Sequence, residues 1–168
     1  MKKLFILFWV VLISGCATGK LDLNEVSGQE GYKDWIGKTI KLKREVLIVL
    51  DNRYDTRNLK VPMYQDYPAI EEYRKNGISK KSWWDREEII GIAEIGNEFE
   101  IVSIGFYTFS SMIGKRGLVL VKSKSGNNLY YLHEDNLFSF KNRGISFNDY
   151  YIEVQPALNP APDEKSRE

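Results

Sequence analysis

The sequence contains only one cysteine, Cys16, and one histidine, His133, among its 168 residues. A single cysteine cannot form an internal disulfide, and a single histidine cannot supply the several imidazoles that many zinc sites use. Charge is also nearly balanced, with 24 lysines and arginines against 23 aspartates and glutamates. The sequence therefore lacks the basic excess that is typical of proteins that bind nucleic acids.

The first fifteen residues have the layout of a secretory signal peptide. Lys2 and Lys3 provide a basic start, and ten uninterrupted apolar residues follow at positions 4–13. At about 1.5 Å per residue, a helix of that run would reach about 15 Å, whereas the hydrocarbon of a bilayer is roughly 30 Å thick. We therefore expect residues 1–15 to be cleaved rather than to form a permanent transmembrane helix.

The apolar run ends in a short motif, Ile13-Ser14-Gly15-Cys16. It resembles the lipobox of bacterial lipoproteins, which is an aliphatic residue, two small residues and a cysteine. The resemblance implies that Cys16 carries a diacylglyceryl group on its sulfur, follows the cleavage site and is acylated on its new amine. Several acyl chains, at about 0.8 kcal/mol per buried methylene, would anchor the protein firmly to the cell envelope. In a host with two membranes, Ala17 after the cysteine favours the outer membrane, with the domain facing the periplasm.

Cleavage would leave 153 residues with 22 basic and 23 acidic side chains, which suits one domain with a single core. Residues 16–31 are polar and contain three glycines, so they are interpreted as the lipidated cysteine and a flexible tether, although three aliphatic residues could add a short edge strand. Residues 32–154 are the predicted β domain. Residues 155–168 contain three of the five prolines and are interpreted as a disordered tail.

The central region has the pattern of short β-strands. Apolar and polar residues alternate in residues 38–43, which predicts a strand with one dry face. Residues 46–50 are continuously apolar and predict a strand buried on both faces. Residues 150–154 would form the last strand.

Two hairpins are predicted where apolar segments flank turn residues. The first joins residues 89–95 to 98–106 through Gly96-Asn97, a pair that tolerates positive φ. The second joins residues 118–121 to 129–132. Together with the strands above, this gives six or seven short strands.

One helix is predicted, between Asp66 and Gly77. Asp66 can cap it, Pro68 suits its first turn, acidic residues lie early and basic residues late, and Gly77 can end it. The helix lies in a long insert at residues 52–85 and is expected to cover one end or edge of the sheet.

Residues 92–101 form a strand, a glycine turn and a strand, and they resemble the corresponding unit of bacterial Src-homology-three-like barrels. Residues 117–132, followed by a single helical turn at 133–137, continue that pattern. The resemblance implies a small antiparallel barrel, and the strand pattern itself allows a sandwich as well. The predicted fold is therefore mainly β, a small antiparallel barrel or sandwich with one short helix in an insert. The insert departs from a minimal barrel, so no peptide groove is transferred from that family.

Two polar segments could carry chemistry but have simpler interpretations. The segment His133-Glu134-Asp135-Asn136 offers metal or proton-transfer groups, yet consecutive side chains cannot face one point, so we interpret it as a solvated turn. Asp51 begins a segment like a calcium loop, but Arg53 and Pro62 stand at ligand positions. We interpret that segment as a charged surface loop.

Acidic pairs could supply the two carboxylates of a glycosidase. The pairs Glu87 and Glu88 and Glu98 and Glu100 are examples, but chance pairs are expected among 23 acidic residues. Glu98 and Glu100 would share one strand face by the period of two, so a solvated face explains them without catalysis.

An aromatic group in the insert is the strongest candidate for a binding surface; its members are Tyr64, Tyr67, Tyr73, Trp83 and Trp84. Aromatic rings stack on sugars and anchor protein partners. The same residues could instead pack a small core of the insert. Adjacent Trp83 and Trp84 cannot both point into one core from a strand, which leaves one of them available for contact.

The sequence thus predicts a membrane-anchored envelope lipoprotein with a non-enzymatic β domain that binds a protein or a cell-wall glycan such as peptidoglycan. Two alternatives stay open, a carboxylate-dependent hydrolase of envelope glycan and a structural subunit of an envelope assembly. Exposed coplanar rings would favour binding, whereas two carboxyls facing each other across a cleft would favour hydrolysis. No cofactor, metal or nucleic acid is expected.

Overall fold

The structure is a computed structural model that describes residues 23–52, 54–77, 87–108, 115–134, 137–141 and 144–155. The predicted signal peptide, Cys16, the tryptophan pair Trp83 and Trp84, and residues 156–168 lie outside the described residues. In the part of the chain that is described, no helix has the length and apolar character needed to cross a membrane.

The described residues form strands for most of their length. The single α-helix among them, α1, is Tyr67–Asn76, and short 3₁₀ turns lie at Lys33–Trp35 and Tyr64–Asp66. The strands are β1 Leu23–Glu25, β2 Thr39–Leu42, β3 Val46–Asp51, β4 Thr56–Lys60, β5 Glu87–Ala93, β6 Glu98–Thr108, β7 Lys115–Ser123, β8 Leu129–His133, β9 Phe138–Lys141, β10 Gly144–Phe147 and β11 Ile152–Gln155.

Most strands belong to one sheet with the order β11-β2-β6-β7-β8-β4-β3-β5, and β1 adds to β6. Strands β9 and β10 form a separate two-stranded sheet. The prediction of a mainly β domain with one short helix is confirmed. The sheet is mixed rather than purely antiparallel, because β4 and β8 run parallel, and its described strands do not close into a complete barrel.

The continuous apolar run at residues 46–50 forms β3, and it is central because it has partners on both sides. Strand β4 pairs with one edge and β5 with the other. Side chains on both faces are buried, including Val46, Leu47 and Val49, which confirms the predicted two-sided burial. A strand with apolar side chains on both faces requires other side chains to pack on each face.

One predicted hairpin is correct and the other is wrong. Strands β7 and β8 form the hairpin that residues 118–132 predict. Strands β5 and β6 are joined by a tight turn at Gly96, where φ is 88°, but they do not pair with each other. The backbone of that turn bonds instead to Leu42 on β2, so the turn carries the chain from one part of the sheet to another.

Part of the segment interpreted as a tether is folded. Strand β1 pairs with β6, and Val26 is buried, with its N–H donating to the carbonyl of Ile104 at 2.9 Å. Gly105 on β6 makes room for the Leu23 side chain, because a Cβ at Gly105 would meet that side chain at 2.6 Å. The short edge strand that competed with a tether is therefore present at residues 23–25.

The main core lies between the large sheet and the β9–β10 pair. Ile40, Ile101, Val119 and Leu132 supply its aliphatic centre from the large sheet. Phe138 from β9 joins them and is buried. This arrangement buries one face of the sheet under a second layer, as in a sandwich.

A smaller cluster lies on the opposite face, under the helix. Ile70 from α1 packs on Leu47, Val49 and Ile89. The helix has the predicted limits: Pro68 lies in its first turn and Gly77, with φ of 62°, ends it. The predicted cap is wrong, because the Asp66 side chain does not cap α1 and accepts instead from the N–H of Met63 at 2.9 Å. Packing therefore fixes α1 against β3 and β5.

Candidate functional site

An open groove of about 400 Å³ lies between α1 and the turn that precedes β11. We call it the tyrosine groove, and the residues that line it include Arg44, Pro62, Tyr67, Ile95, Tyr150 and Tyr151. They come from four places in the chain: the β2–β3 turn, the segment around the start of α1, the β5–β6 turn and the turn before β11.

One wall of the tyrosine groove is the helix, which is fixed by two contacts. Ile70 is buried in the small apolar cluster beneath α1. The hydroxyl of Tyr73 donates a hydrogen bond to the carbonyl oxygen of Ile90 at 3.0 Å. Because both contacts join α1 to the sheet, the helix face that carries Tyr67, Ile70 and Arg74 is presented to the groove in a fixed orientation.

The opposite wall is a turn organised by Asn148. Its side-chain oxygen accepts from the N–H of Tyr150 at 3.0 Å, and its carbonyl accepts from the N–H of Tyr151 at 2.9 Å. Asparagine favours such turns because its short amide can bond to the backbone two residues on. Lys43 adds a bond from Nζ to the carbonyl of Asp149 at 2.5 Å. The two tyrosines are therefore held on a preformed turn.

Aromatic and charged groups meet inside the tyrosine groove. The guanidinium of Arg44 lies 3.7 Å from the ring centroid of Tyr150, which is a cation–π contact. The rings of Tyr150 and Tyr151 meet edge to face with centroids 5.0 Å apart. Nearby, Arg74 Nη2 lies 2.6 Å from Glu45 Oε2. The groove thus combines tyrosine rings with arginine guanidiniums, each of which has several hydrogen-bond donors.

Several large apolar side chains of the groove are exposed to solvent. Tyr67 and Tyr150 are each 55% exposed, and Ile95 is 67% exposed. Clustered exposed apolar side chains with a polar rim are typical of interaction sites, whereas single exposed apolar residues are ordinary. The tyrosine groove is therefore the best candidate for a contact surface among the described residues.

The structure separates the predicted aromatic residues. Tyr67 lies in the tyrosine groove. Tyr64 is 92% exposed just before α1, whereas Tyr73 is half buried and uses its hydroxyl to hold the helix. Trp83 and Trp84 lie outside the described residues.

Sequence reasoning missed Arg44, Ile95, Tyr150 and Tyr151 as members of this surface. The Asn148-Asp149 pair before two tyrosines signals a turn that carries aromatic rings. Nothing local indicates that this turn meets the helix some 80 residues earlier, because the meeting depends on the strand order β11-β2 and β3-β5.

Two interpretations of polar segments are wrong at the first residue of each segment, whereas Asn52 and Asp55 do lie in an exposed turn. Asp51 is not in a surface loop; it ends β3 and is buried. His133 is not in a solvated turn; it ends β8, is partly buried, and contacts Asn58 and Tyr107. Both residues line a second, smaller cavity.

The acidic pairs lie on strands β5 and β6, where strand geometry determines which way each side chain points. Glu98 and Glu100 flank buried Phe99 on the more exposed face of β6, as the period of two predicts. Glu87 is paired in register with Asp51 on β3, whereas Glu88 is paired with Leu50. Within the described residues, no group of three or more histidine, cysteine, aspartate and glutamate side chains is placed to hold a metal ion.

Comparisons of the chain with known proteins give no match. No protein-family model matches it, and neither do any curated proteins or solved structures.

Proposed function

We propose that this chain is a lipid-anchored bacterial envelope protein that docks a segment of another envelope protein in the tyrosine groove. The observation that carries the proposal is the convergence of half-exposed Tyr67 and Tyr150 on one groove, with Arg44 stacked on the Tyr150 ring. Tyrosine and arginine are among the residues most enriched at the centres of protein interfaces.

The chemistry of the groove favours a protein segment with apolar and acidic side chains. Exposed Ile95 suits an aliphatic side chain better than it suits the hydroxyls of a glycan. Arg44 and Arg74 can donate to a carboxylate with both arms of the guanidinium. The Arg74–Glu45 pair is about half exposed and is worth at most about 1 kcal/mol, so a carboxylate of the partner can replace Glu45 at little cost.

The fixed walls of the groove support binding without large rearrangement. The helix is held by Ile70 and by the Tyr73 hydroxyl, and the opposite turn is held by Asn148. A preformed site loses less conformational entropy when a partner binds. Each tyrosine anchor would then contribute about 2 kcal/mol or more, equivalent to roughly a thirty-fold change in affinity.

The anchoring part of the proposal is tested at Cys16. Cys16→Ser should abolish metabolic labelling with radioactive palmitate and should leave the uncleaved precursor in the membrane fraction. Ala17→Ser is the matched control, since it changes the neighbouring residue and keeps the sulfur. Normal labelling and cleavage of Cys16→Ser would contradict lipid attachment at this residue.

The docking part is tested by affinity purification of the full-length chain from crosslinked, solubilised envelopes. Tyr67→Ala, Tyr150→Ala and Arg44→Glu should each deplete the same partner proteins at least about ten-fold. Leu129→Ala is the matched control, because Leu129 is exposed on the β7–β8 hairpin and does not line the tyrosine groove. Prior digestion of the cell wall should leave the partners in place.

Two outcomes would contradict the docking proposal. One is recovery of the same proteins by all groove variants at the level of Leu129→Ala. The other is loss of all partners after cell-wall digestion, which would identify glycan as the occupant of the groove.

A further inference from the structure

A second cavity, separate from the tyrosine groove, lies on the helix-covered side of the large sheet. It has a volume of about 170 Å³, and we call it the polar cavity. Six of the side chains that line it are Asp51, Asn58, Lys60, Glu87, Tyr107 and His133. They come from five strands that are close together in the sheet, in the order β6, β8, β4, β3 and β5.

Strand register explains why polar side chains from distant parts of the sequence meet there. Asn58 is paired with Val49 on one side and with Tyr131 on the other. His133 lies two residues after Tyr131, and Asp51 two residues after Val49. Because alternate residues share a face, these side chains all project from the same face of the sheet.

A chain of hydrogen bonds crosses the polar cavity. His133 Nε2 lies 3.1 Å from Asn58 Oδ1, and His133 Nδ1 lies 3.3 Å from the hydroxyl oxygen of Tyr107. An amide oxygen only accepts, so Nε2 donates to Asn58, and a neutral imidazole can then accept the Tyr107 hydroxyl at Nδ1. Asn58 and Tyr107 are both at least 95% buried.

Among the described residues, only one of the two polar atoms of the Asn58 side-chain amide has a hydrogen-bond partner. Its oxygen is engaged by His133, but among the described residues its nitrogen has no hydrogen-bond partner, although the side chain is 4% exposed. A buried donor left without a partner costs about 1 to 3 kcal/mol. A polar molecule in the cavity would remove that cost, because Asn58 forms part of the cavity wall.

The cavity is lined by two acidic residues, Asp51 and Glu87, and two basic residues, Lys60 and Arg116, so its formal charges balance. Asp51 and Arg116 each have an interaction partner in the protein. Lys60 Nζ lies 2.9 Å from Glu87 Oε2 and 4.0 Å from Asp66 Oδ2. The lysine therefore already has carboxylate partners, and it holds the carboxylate of Glu87. This pairing does not favour free acid–base chemistry by Glu87, and it does not call for a ligand with a net charge.

We infer that the polar cavity binds a neutral polyhydroxylated molecule, of the size of one sugar residue. Each sugar hydroxyl both donates and accepts, which matches the mixture of amide, imidazole, phenol and ion-pair groups in the wall. The volume equals that of five to six water molecules at about 30 Å³ each, so the site holds a small ligand rather than a polymer.

The inference is tested by isothermal titration of the detergent-solubilised full-length chain with three matched probes. They are methyl glucoside, which is neutral, glucosamine, which is cationic, and glucuronate, which is anionic. The neutral probe should bind saturably with one site per chain, and each charged probe should bind at least about ten-fold more weakly. Tyr67→Ala, in the tyrosine groove, should leave this binding unchanged.

Variants of the wall identify the site. Asn58→Ala should weaken binding of the neutral probe by about ten-fold or more, the factor that corresponds to about 1.4 kcal/mol for one lost hydrogen bond. Glu87→Gln changes the partly exposed rim and serves as a second variant if Asn58→Ala does not fold. It should weaken binding by a similar factor.

Three results would overturn the inference. The neutral probe could fail to bind saturably, which would mean that the cavity holds only water. A charged probe could bind more tightly than the neutral one. Folded Asn58→Ala and Glu87→Gln could both bind with unchanged affinity.

Discussion

The packing of β9 on the large sheet depends on the absence of a side chain at Gly117. A Cβ built at this position would overlap the aromatic ring of Phe140. Gly117 cannot easily move, because its N–H donates to Glu134 Oε2 at 3.0 Å and its carbonyl accepts from the N–H of Glu134 at 3.1 Å. Gly117→Ala must therefore displace the ring.

The size of this effect follows from what the ring contacts. Phe140 packs with Phe106 at a centroid distance of 4.6 Å and with Tyr32 at 5.7 Å. Overpacking costs about 1 to 3 kcal/mol, and an aromatic pair is worth about 0.5 to 1.5 kcal/mol. We expect Gly117→Ala to lower the free energy of unfolding by about 2 to 4 kcal/mol.

Urea unfolding of the full-length chain, followed by tryptophan fluorescence, measures this change. Gly126→Ala is the matched control, because its Cβ would come no closer than 3.9 Å to any neighbour, and it should change stability by less than about 0.5 kcal/mol. In a Phe140→Ala background, Gly117→Ala should cost less than about 1 kcal/mol, since the ring is gone. An equal cost in both backgrounds would refute the clash as the cause.

Three further predictions concern the helix and the first strand. Ile70→Ala should lower the free energy of unfolding by about 2 to 5 kcal/mol in the same urea assay, whereas Ile95→Ala, at an exposed position, should change it by less than about 0.5 kcal/mol. Tyr73→Phe should cost about 1 kcal/mol because the bond to the Ile90 carbonyl is lost, and Tyr64→Phe should cost nothing measurable; equal costs would contradict the anchoring role. Gly105→Ala should displace β1 and speed amide hydrogen exchange at residues 23–25 far more than in β7; unchanged exchange there would argue against this packing.

Local patterns were enough to predict most individual elements. The apolar run of β3, the β7–β8 hairpin and the limits of α1 each depend on residues close together in sequence. Pro68 and Gly77, for example, mark the ends of the helix by their own backbone preferences. These features could be predicted because the physical cause lies within each segment.

Pairings between distant segments could not be predicted. Gly96-Asn97 has the composition of a hairpin turn, but β3 competes for the edge of β5 and β2 for the edge of β6. The parallel pair of β4 and β8 likewise depends on the whole sheet. Local turn chemistry fixes the shape of a turn and leaves the partner of each strand open.

The same limit explains the candidate sites. Tyr67 was predicted as a contact residue from a local aromatic cluster, but its neighbours Tyr150 and Arg44 come from other segments. His133 was interpreted as part of a solvated turn because its partners, Asn58 and Tyr107, lie 75 and 26 residues away. Sites built from several strands become visible only when the strand order is known.

Site-specific photocrosslinking tests the central claim, docking of a protein segment in the tyrosine groove, most directly. A photoreactive phenylalanine analogue would replace Tyr67 or Tyr150 in the full-length chain in cells, with Leu129 as the control position. Both groove positions should give adducts with the same protein, mapped to one segment rich in apolar and acidic residues, and Leu129 should not. Equal adducts from Leu129, or only glycan adducts from the groove, would contradict the claim.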